Sequence, residues 1–223
     1  MNISVVIPAF NEAEKIGKVV SEVKEKVPTI IVVDDGSKDQ TGNLAKNAGA
    51  LVLTHIINRG QGAALQTGIN FALNSGSDVI VTFDADGQHD VSEIDEVIKP
   101  LLLGQVDVVL GSRFLTAKNK IPQSKIFLLK VATWFTKIYT GLEISDTHNG
   151  FRALSKKAAS QIEITQDGMA HASEIIEQIK KHHLKFVEVP VSIKYTEYSM
   201  KKGQKLSSSF RIVWDLILSR IIR

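Results

Sequence analysis

Short apolar runs rich in β-branched residues recur along this chain, each stops at a polar cluster, and helical spacing separates one from the next. Ile3-Ser4-Val5-Val6-Ile7 ends at Pro8. Thr29 to Val33 ends at Asp34-Asp35-Gly36-Ser37, Ala50 to Thr54 follows, Asp78 to Phe83 ends at Asp84-Ala85-Asp86-Gly87, and Val106 to Leu110 runs into Ser112-Arg113. Runs of this length and composition read as strands buried on both faces. Between them, Asn11 to Lys26 places Ile16, Val19, Val20 and Val23 on one helical face. Asp39 is positioned to cap a helix whose expected buried face is Leu44, Ala45 and Ala48, and Gly49 ends it. Gly60 to Asn74 and Val91 to Leu103 are two further helices, followed by Gly76 and Gly104. Strands alternating with helices imply right-handed crossovers and a mostly parallel sheet, an α/β architecture.

Ligands of such sheets bind beyond the carboxyl ends of the strands. The polar clusters Asn11-Glu12, Asp34-Asp35, Asp84-Asp86 and Ser112-Arg113 fall at those ends. Asp84 and Asp86, one residue apart on a turn that Gly87 allows, offer two hard oxygens suited to Mg²⁺ or Mn²⁺ shared with phosphate, and Gln88 adds a third. The competing description is an ordinary polar turn. A helix cap accounts for one carboxylate of Asp34-Asp35, and the second is free to accept from a nucleobase or a ribose. Neither a Gly-x-Gly-x-x-Gly nor a Gly-x-x-x-x-Gly-Lys loop follows the first strand, which argues against dinucleotide and P-loop chemistry. His89, His148 and His171 share no ligand spacing and read as ordinary polar residues.

The 223 residues suffice for one domain, and the absence of cysteine excludes disulfides and Cys-based metal sites. No leader-like segment precedes the first strand, and no uncharged apolar stretch reaches the roughly 20 residues of a spanning helix. The net charge of +3 is unevenly spread: from Lys180 onward ten cations face three acids, leaving −4 on the rest. A basic tail with interleaved aromatic and aliphatic residues favours a phosphate-rich membrane surface over nucleic acid as its partner. Two stretches show apolar helical faces. One runs from Ser124 to Thr140 through Phe127, Val131, Trp134, Phe135 and Ile138. The other runs from Leu206 to Arg223 through Phe210, Val213, Trp214, Ile217 and Ile221. Each either lies in a membrane interface or packs on protein, a second copy or a membrane protein included.

Val5-Val6-Ile7-Pro8-Ala9-Phe10-Asn11-Glu12, Val32-Val33-Asp34-Asp35-Gly36-Ser37, Asn58-Arg59-Gly60-x-Gly62-Ala63-Ala64 and Asp84-Ala85-Asp86-Gly87-Gln88, taken in order, resemble the family 2 glycosyltransferases of GT-A fold. With Gly111-Ser112-Arg113-Phe114 and Asp146-Thr147-His148-Asn149-Gly150-Phe151-Arg152, the chain is similar to their polyprenyl-phosphate, dolichol-phosphate mannose synthase-like branch. The resemblance implies a GT-A domain, placed over residues 1–205, and the helical spacing adds an amphipathic helix over 206–223. It implies donor contacts from Pro8, Phe10, Glu12, Val33, Asp35, Asp84, Ala85 and Asp86, and metal contacts from Asp86, Gln88 and Asp84. Arg113 would bind the acceptor phosphate, and Asp146 would border the donor sugar. Where the branch carries Arg-x-x-Gly-x-Ser-Lys, this chain has Met200 in place of the Arg, with Lys201, Lys202 and Lys205 nearby.

The expected reaction is metal-dependent, inverting transfer of a hexose from a nucleotide-sugar, of GDP-mannose or UDP-glucose/UDP-GlcNAc type, to a polyprenyl phosphate. It would take place at the inner face of the cell membrane, by a cytoplasmic, peripheral enzyme. An ionised phosphate acceptor needs cations and no base, and Arg113, Lys125, Lys202 and Lys205 are the candidates. A saccharide hydroxyl as acceptor would need a base, with Asp146 the first choice. More distant alternatives are a sugar nucleotidyltransferase and a non-catalytic nucleotide-sugar-binding partner.

Overall fold

Alternate residues of the first strand, Ile3–Ala9 (β1), enter two different cores. Val5, Ile7 and Ala9 join one and Val6 the other. The same division holds in Thr29–Asp34 (β2), where Ile30 and Val32 separate from Ile31 and Val33. Both faces of the sheet are covered, so these strands are apolar at nearly every position. The computed structural model describes residues 1–116 and 123–194. The helix expected over 206–223, together with Met200, Lys201, Lys202 and Lys205, lies outside the described residues.

The remaining elements, in chain order after β1, are Ile16–Lys24 (α1), β2, Thr41–Asn47 (α2), Leu51–Thr54 (β3), Gln61–Asn74 (α3), Val79–Thr82 (β4), a 3-10 turn Val91–Glu93, Ile94–Leu102 (α4), Val108–Ser112 (β5), Gln123–Thr140 (α5), Arg152–Ser155 (β6), Lys156–Gln161 (α6), His171–Lys181 (α7) and Phe186–Pro190 (β7). The sheet order is β3-β2-β1-β4-β6-β5-β7. All neighbours run parallel except β6, which is antiparallel to both β4 and β5. Residues of α1 and α4 pack on one face, through Val19, Val20, Ile94 and Val97. Residues of α3, α6 and α7 cover the other, through Leu65, Ile69, Ala158, Ile175 and Ile176. This is the mostly parallel α/β sheet expected from the sequence.

The chain winds outward from β1 through β2 to the edge strand β3, then returns to the other side of β1 as β4. The order therefore reverses at β1, and a crevice opens there beyond the carboxyl ends of β1, β2 and β4. Asn11-Glu12, Asp35 and Asp84-Asp86 follow those three strands.

Several local expectations are corrected. β5 lies two residues later than expected, because β7 and β6 pair with it up to Ser112 and Leu110. In α2 the buried residues are Thr41 and Ala45. Leu44 is 37% exposed and Ala48 only half-buried, because this seven-residue helix covers the sheet's β3 edge and has little surface to pack on. Asp39 serves the start of α2 by accepting from the Thr41 amide, and its other oxygen takes the Ala13 amide. No helix among the described residues is long and apolar enough to cross a membrane. On α5, Val131, Trp134 and Ile138 are 43%, 63% and 64% exposed, so those three residues of the expected stripe are not packed on the sheet. Among the residues of that helix whose burial is described, Thr136 and Thr140 are buried, and Thr136 lies against Ser173 of α7.

Candidate active site

β1 gives way to an irregular segment in which Asn11 takes a positive φ of 53°. The Asn11 amide donates to Ser37 Oγ and its side-chain oxygen accepts from the Lys38 amide, which ties the ends of β1 and β2 together. Glu12 is buried, Phe10 is 39% exposed, and Pro8 and Val33 are register partners inside the sheet. Val33 packs beside Gly68 of α3 in the core.

Asp34 and Asp35 divide their work. Asp34 Oδ1 accepts from the Ser37 amide and shapes the turn. Asp35, almost fully buried, accepts from His55 Nδ1 at 2.6 Å and the Arg59 amide at 3.0 Å on one oxygen, and from the Gly60 amide at 2.7 Å on the other. Its carboxylate thus organises the Asn58-Arg59-Gly60 segment that leads into α3. Gly60 sits at φ 111° with the Asp167 carbonyl against its α-carbon, a conformation and a space that exclude a side chain.

Beyond β4, Asp84 Oδ1 accepts from Gln61 Nε2 of α3 at 3.1 Å and Oδ2 from His89 Nε2 at 2.9 Å. Gly150 backs onto this carboxylate so closely that a Cβ there would land on it. Burial works to raise the Asp84 carboxyl. The hydrogen bond and charge of His89, then the charges of His171 and Arg152, outweigh it and hold the group below the usual carboxylate range. Asp86 goes the other way. Burial, then the charges of Asp84 and Glu12, push it up to about 6 despite the Gln88 amide on Oδ1. Ala85 between them is buried.

Crowded carboxylates of this kind suit a cation. Among the described residues no three or more His, Cys, Asp or Glu side chains converge as a cage. Asp86 Oδ2 takes no hydrogen bond among them. That donor set fits a hard divalent ion bound through one or two carboxylates and completed by a ligand's phosphates.

Beyond β5, Arg113 donates from its amide and from Nε to Asp146 Oδ2, and from Nη2 to the His148 carbonyl. Arg152 of β6, fully buried, donates to the carbonyls of Asn149 and Thr147. Burial lowers its guanidinium to about 10, while Asp84 and Asp146 counter that effect. Glu188 of β7 accepts from the Ser145 amide and hydroxyl and from the Asp146 amide, and the Ser145 hydroxyl meets that of Ser112. Residues 145–149 are therefore tied to three neighbouring strands. Asp146 Oδ1, Thr147 Oγ1, His148 Nδ1 and His89 Nδ1 are buried without a partner among the described residues.

The fold brings Glu12, Asp35, Asp84, Ala85, Asp86 and Gln88 to the crevice between β1, β2 and β4, and sets Arg113 and Asp146 beyond β5 with Arg152 bridging the two groups electrostatically. Lys125 falls on α5. The importance of Gln61, His89, Arg152 and Glu188 was not visible from spacing. A buried arginine inside a strand, and a histidine just after Asp-x-Asp-x-Gln, were the available signals.

Residues 4–163 match the profile of glycosyl transferase family 2. The uncharacterized protein MJ1222 of Methanocaldococcus jannaschii is 41% identical over 98% of this chain and 92% of its own length. The UDP-N-acetylglucosamine–dolichyl-phosphate N-acetylglucosaminyltransferase of Methanococcus voltae is 32% identical over 98% of this chain and 96% of its own. Among solved structures, glucosyl-3-phosphoglycerate synthase from Mycobacterium tuberculosis, in complex with Mn²⁺, UDP-glucose and phosphoglyceric acid, superposes with a TM-score of 0.74. It is 19% identical, over 97% of this chain and 78% of that one, and so shares the fold.

Proposed function

The chain belongs to glycosyl transferase family 2, and from that premise we propose that it moves a hexose from a nucleotide-sugar to a polyprenyl phosphate at a membrane surface. The observation that carries this reading is the Asp84–Asp86 turn at the sheet's reversal point, crowded with negative charge by Glu12 and faced by buried arginine. The dolichyl-phosphate acceptor in the name of the Methanococcus voltae relative supports the lipid phosphate. The Mn²⁺ and UDP-glucose bound to the structural neighbour support the nucleotide-sugar and a divalent ion.

In this scheme the nucleoside lies over the ends of β1 and β2. Phe10 and Glu12 border it, with Pro8, Val33 and Ala85 forming the backbone floor. Asp35 presents the Arg59-Gly60 segment and, through its remaining acceptor capacity, meets the base or ribose. Asp86 and Gln88 would hold Mg²⁺ or Mn²⁺, and Asp84 would steady their turn. The ion, when bound, neutralises charge that develops on the departing diphosphate. Arg113, Lys125, Lys202 and Lys205 orient the acceptor phosphate for attack on the opposite face of the anomeric carbon, so configuration inverts. Orientation suffices because the phosphate is already ionised. Asp146 borders the sugar. Its Oδ2 pairs with Arg113, and a hydroxyl acceptor, unlike a phosphate, would need it as a base.

Membrane attachment is peripheral and faces the cytoplasm. The exposed Val131-Trp134-Ile138 stripe supports it, and the basic, amphipathic segment 206–223, following the domain over 1–205, supplies a second contact. The test is mass spectrometry of the lipid after the full chain meets a panel of nucleotide-sugars and Mg²⁺ or Mn²⁺, with polyprenyl phosphate in one set of reactions and a lipid-linked saccharide in another. A glycosylated lipid phosphate is expected. Product formed only on a lipid-linked saccharide would replace this reading with hydroxyl transfer.

A further inference from the structure

The side chain that closes the Asp84–Gln88 turn is His89. It is buried at 5% exposure, and its ring packs 5.2 Å from those of both Phe83 and Phe151. Asp84 lies 2.9 Å from Nε2. An ionised carboxylate only accepts, so Nε2 carries the proton and donates. This bond joins the last residue of the segment 84–89 to the first and makes the intervening turn a closed ring. The backbone is fixed from outside as well. His89 bridges to Ile193, and the Gln88 carbonyl accepts from the Lys194 amide. Gln61 holds the other oxygen of Asp84 and Gly150 lies behind it, so Asp84 cannot swing away from the histidine.

We infer that His89 is a positioning residue: through Asp84 it sets the turn that presents Asp86 and Gln88 to the donor's diphosphate and its metal. The inference rests on the nucleotide-sugar reading of the site and divides the acidic pair by role. Both oxygens of Asp84 are occupied by side chains that orient it, whereas Asp86 Oδ2 takes no hydrogen bond among the described residues. Asp86 and Gln88 would hold the metal, and Asp84 acts with His89 as the latch. A partner that orients a metal-binding group commonly contributes 10- to 100-fold in metal affinity.

Two substitutions separate the latch from mere filling of space. Glutamine places its Nε2 the same number of bonds from the backbone as the histidine Nε2, so His89→Gln keeps a donor for Asp84. Asparagine places its nitrogen one bond short, so His89→Asn keeps polarity and loses the latch. Mn²⁺ is titrated by calorimetry into the full chain saturated with UDP, and in parallel with GDP. Binding of each nucleotide in chelator, and melting temperature, are the controls. His89→Asn is expected to weaken Mn²⁺ by about 10- to 100-fold, His89→Gln by less than about threefold, and neither to alter nucleotide binding without metal. Equal Mn²⁺ affinity in all three proteins, or equal loss in both variants, overturns the latch. Failure of the wild type to bind Mn²⁺ with either nucleotide overturns the underlying reading instead. If His89→Asn does not fold, amide exchange over residues 84–89 decides: wild-type protection in His89→Gln supports the latch, and faster exchange there at an unchanged melting temperature overturns it.

Discussion

A single oxygen of Asp146, Oδ2, accepts from Arg113 twice, from the backbone amide at 3.1 Å and from Nε at 2.6 Å. The two side chains are 11% and 1% exposed, so this is an ion pair out of water, and Arg113 Nη2 also holds the His148 carbonyl. Arg113 is thus a tie for the segment 145–149 as well as a candidate phosphate ligand, and its loss should be felt in both capacities.

Arg113→Ala removes the ion-pair partner of a buried carboxylate, leaving Asp146 Oδ2 with the residue-113 amide, the Asn149 side chain and the charge of Arg152. Breaking a buried pair on one side costs about 3–5 kcal/mol, so the melting temperature should fall by many degrees. Below that temperature the acceptor KM should rise while the donor KM stays near the wild type. Arg113→Lys should not rescue, because an ammonium cannot replace a guanidinium that bonds Asp146 and His148 together. A variant with wild-type melting would show that the tie contributes nothing.

Asp86 gives a prediction in which stability and function oppose each other. Its carboxyl is pushed up to about 6 from an ordinary 3.8, by burial first and the charge of Asp84 second. The folded state therefore favours the protonated form, and ionisation above about pH 6 destabilises the metal-free protein by an amount on the order of 1–3 kcal/mol. Asp86→Asn should raise the metal-free melting temperature at pH 7.5. The same change should lower transfer at least about a hundredfold, or ~2.7 kcal/mol. A cation must displace the proton, so Mn²⁺ affinity of the wild type should drop as pH falls below about 6. Flat Mn²⁺ affinity from pH 7 to 5 would contradict this.

The histidines set the acid limit. His148 and His171 are both depressed from 6.5 to about 4, by burial first and then by the nearby charge of Arg152. The unfolded chain takes up protons at these sites between pH 6.5 and 4, and the folded chain does not. Their contribution is fully present above 6.5 and is lost as pH falls to about 4, at about 3 kcal/mol each as an upper figure. Asp86 works in the opposite sense between about 6 and 3.8, but it is one group against two. Denaturant midpoints measured from pH 7 to 4.5 should fall steeply, and His171→Gln should flatten the curve.

What was legible in the sequence follows from which interactions are local. β1, β2 and β4 announce themselves because both faces of each are covered, and the acidic ends of β2 and β4 mark the crevice. β6 does not: its four residues begin with Arg152, and its antiparallel insertion between β4 and β5 depends on pairings with residues 42 to 76 positions earlier in the chain. The latch from His89 and the Glu188 grip on Ser145 were hidden for related reasons. His89 looks like any polar residue until Phe83 and Phe151 enclose it, and Glu188 meets its partners only once β7 has joined the sheet. Leu44 misled because helical spacing says which residues share a face, not whether anything covers that face.

α5 carries an exposed apolar stripe. Val131, Trp134 and Ile138 lie three and four residues apart on one side of this helix and are exposed at 43%, 63% and 64%, while Thr136 and Thr140, among the described residues, are buried. Lys130 and Lys137, both exposed, lie off that stripe. Apolar residues with a tryptophan, beside lysines, are what an interfacial helix offers: the apolar atoms enter the headgroup boundary and the cations meet anionic lipid. The electrostatic part contributes roughly 1 kcal/mol per cation and is screened by salt. The apolar part is not screened and follows the area removed from water. The full chain should therefore pellet with anionic vesicles, and high salt should release only part of it. Trp134→Ser combined with Ile138→Ser should weaken vesicle binding and raise the KM for a long-chain polyprenyl phosphate. The same protein should handle a short, water-soluble acceptor phosphate at the wild-type rate, because these side chains are exposed and are not among the buried residues of either core. Its melting temperature should stay where it was or rise slightly. If both acceptors lose activity alike, or if the double variant changes oligomeric state in sedimentation while vesicle binding persists, the stripe is a protein interface and the membrane contact lies elsewhere.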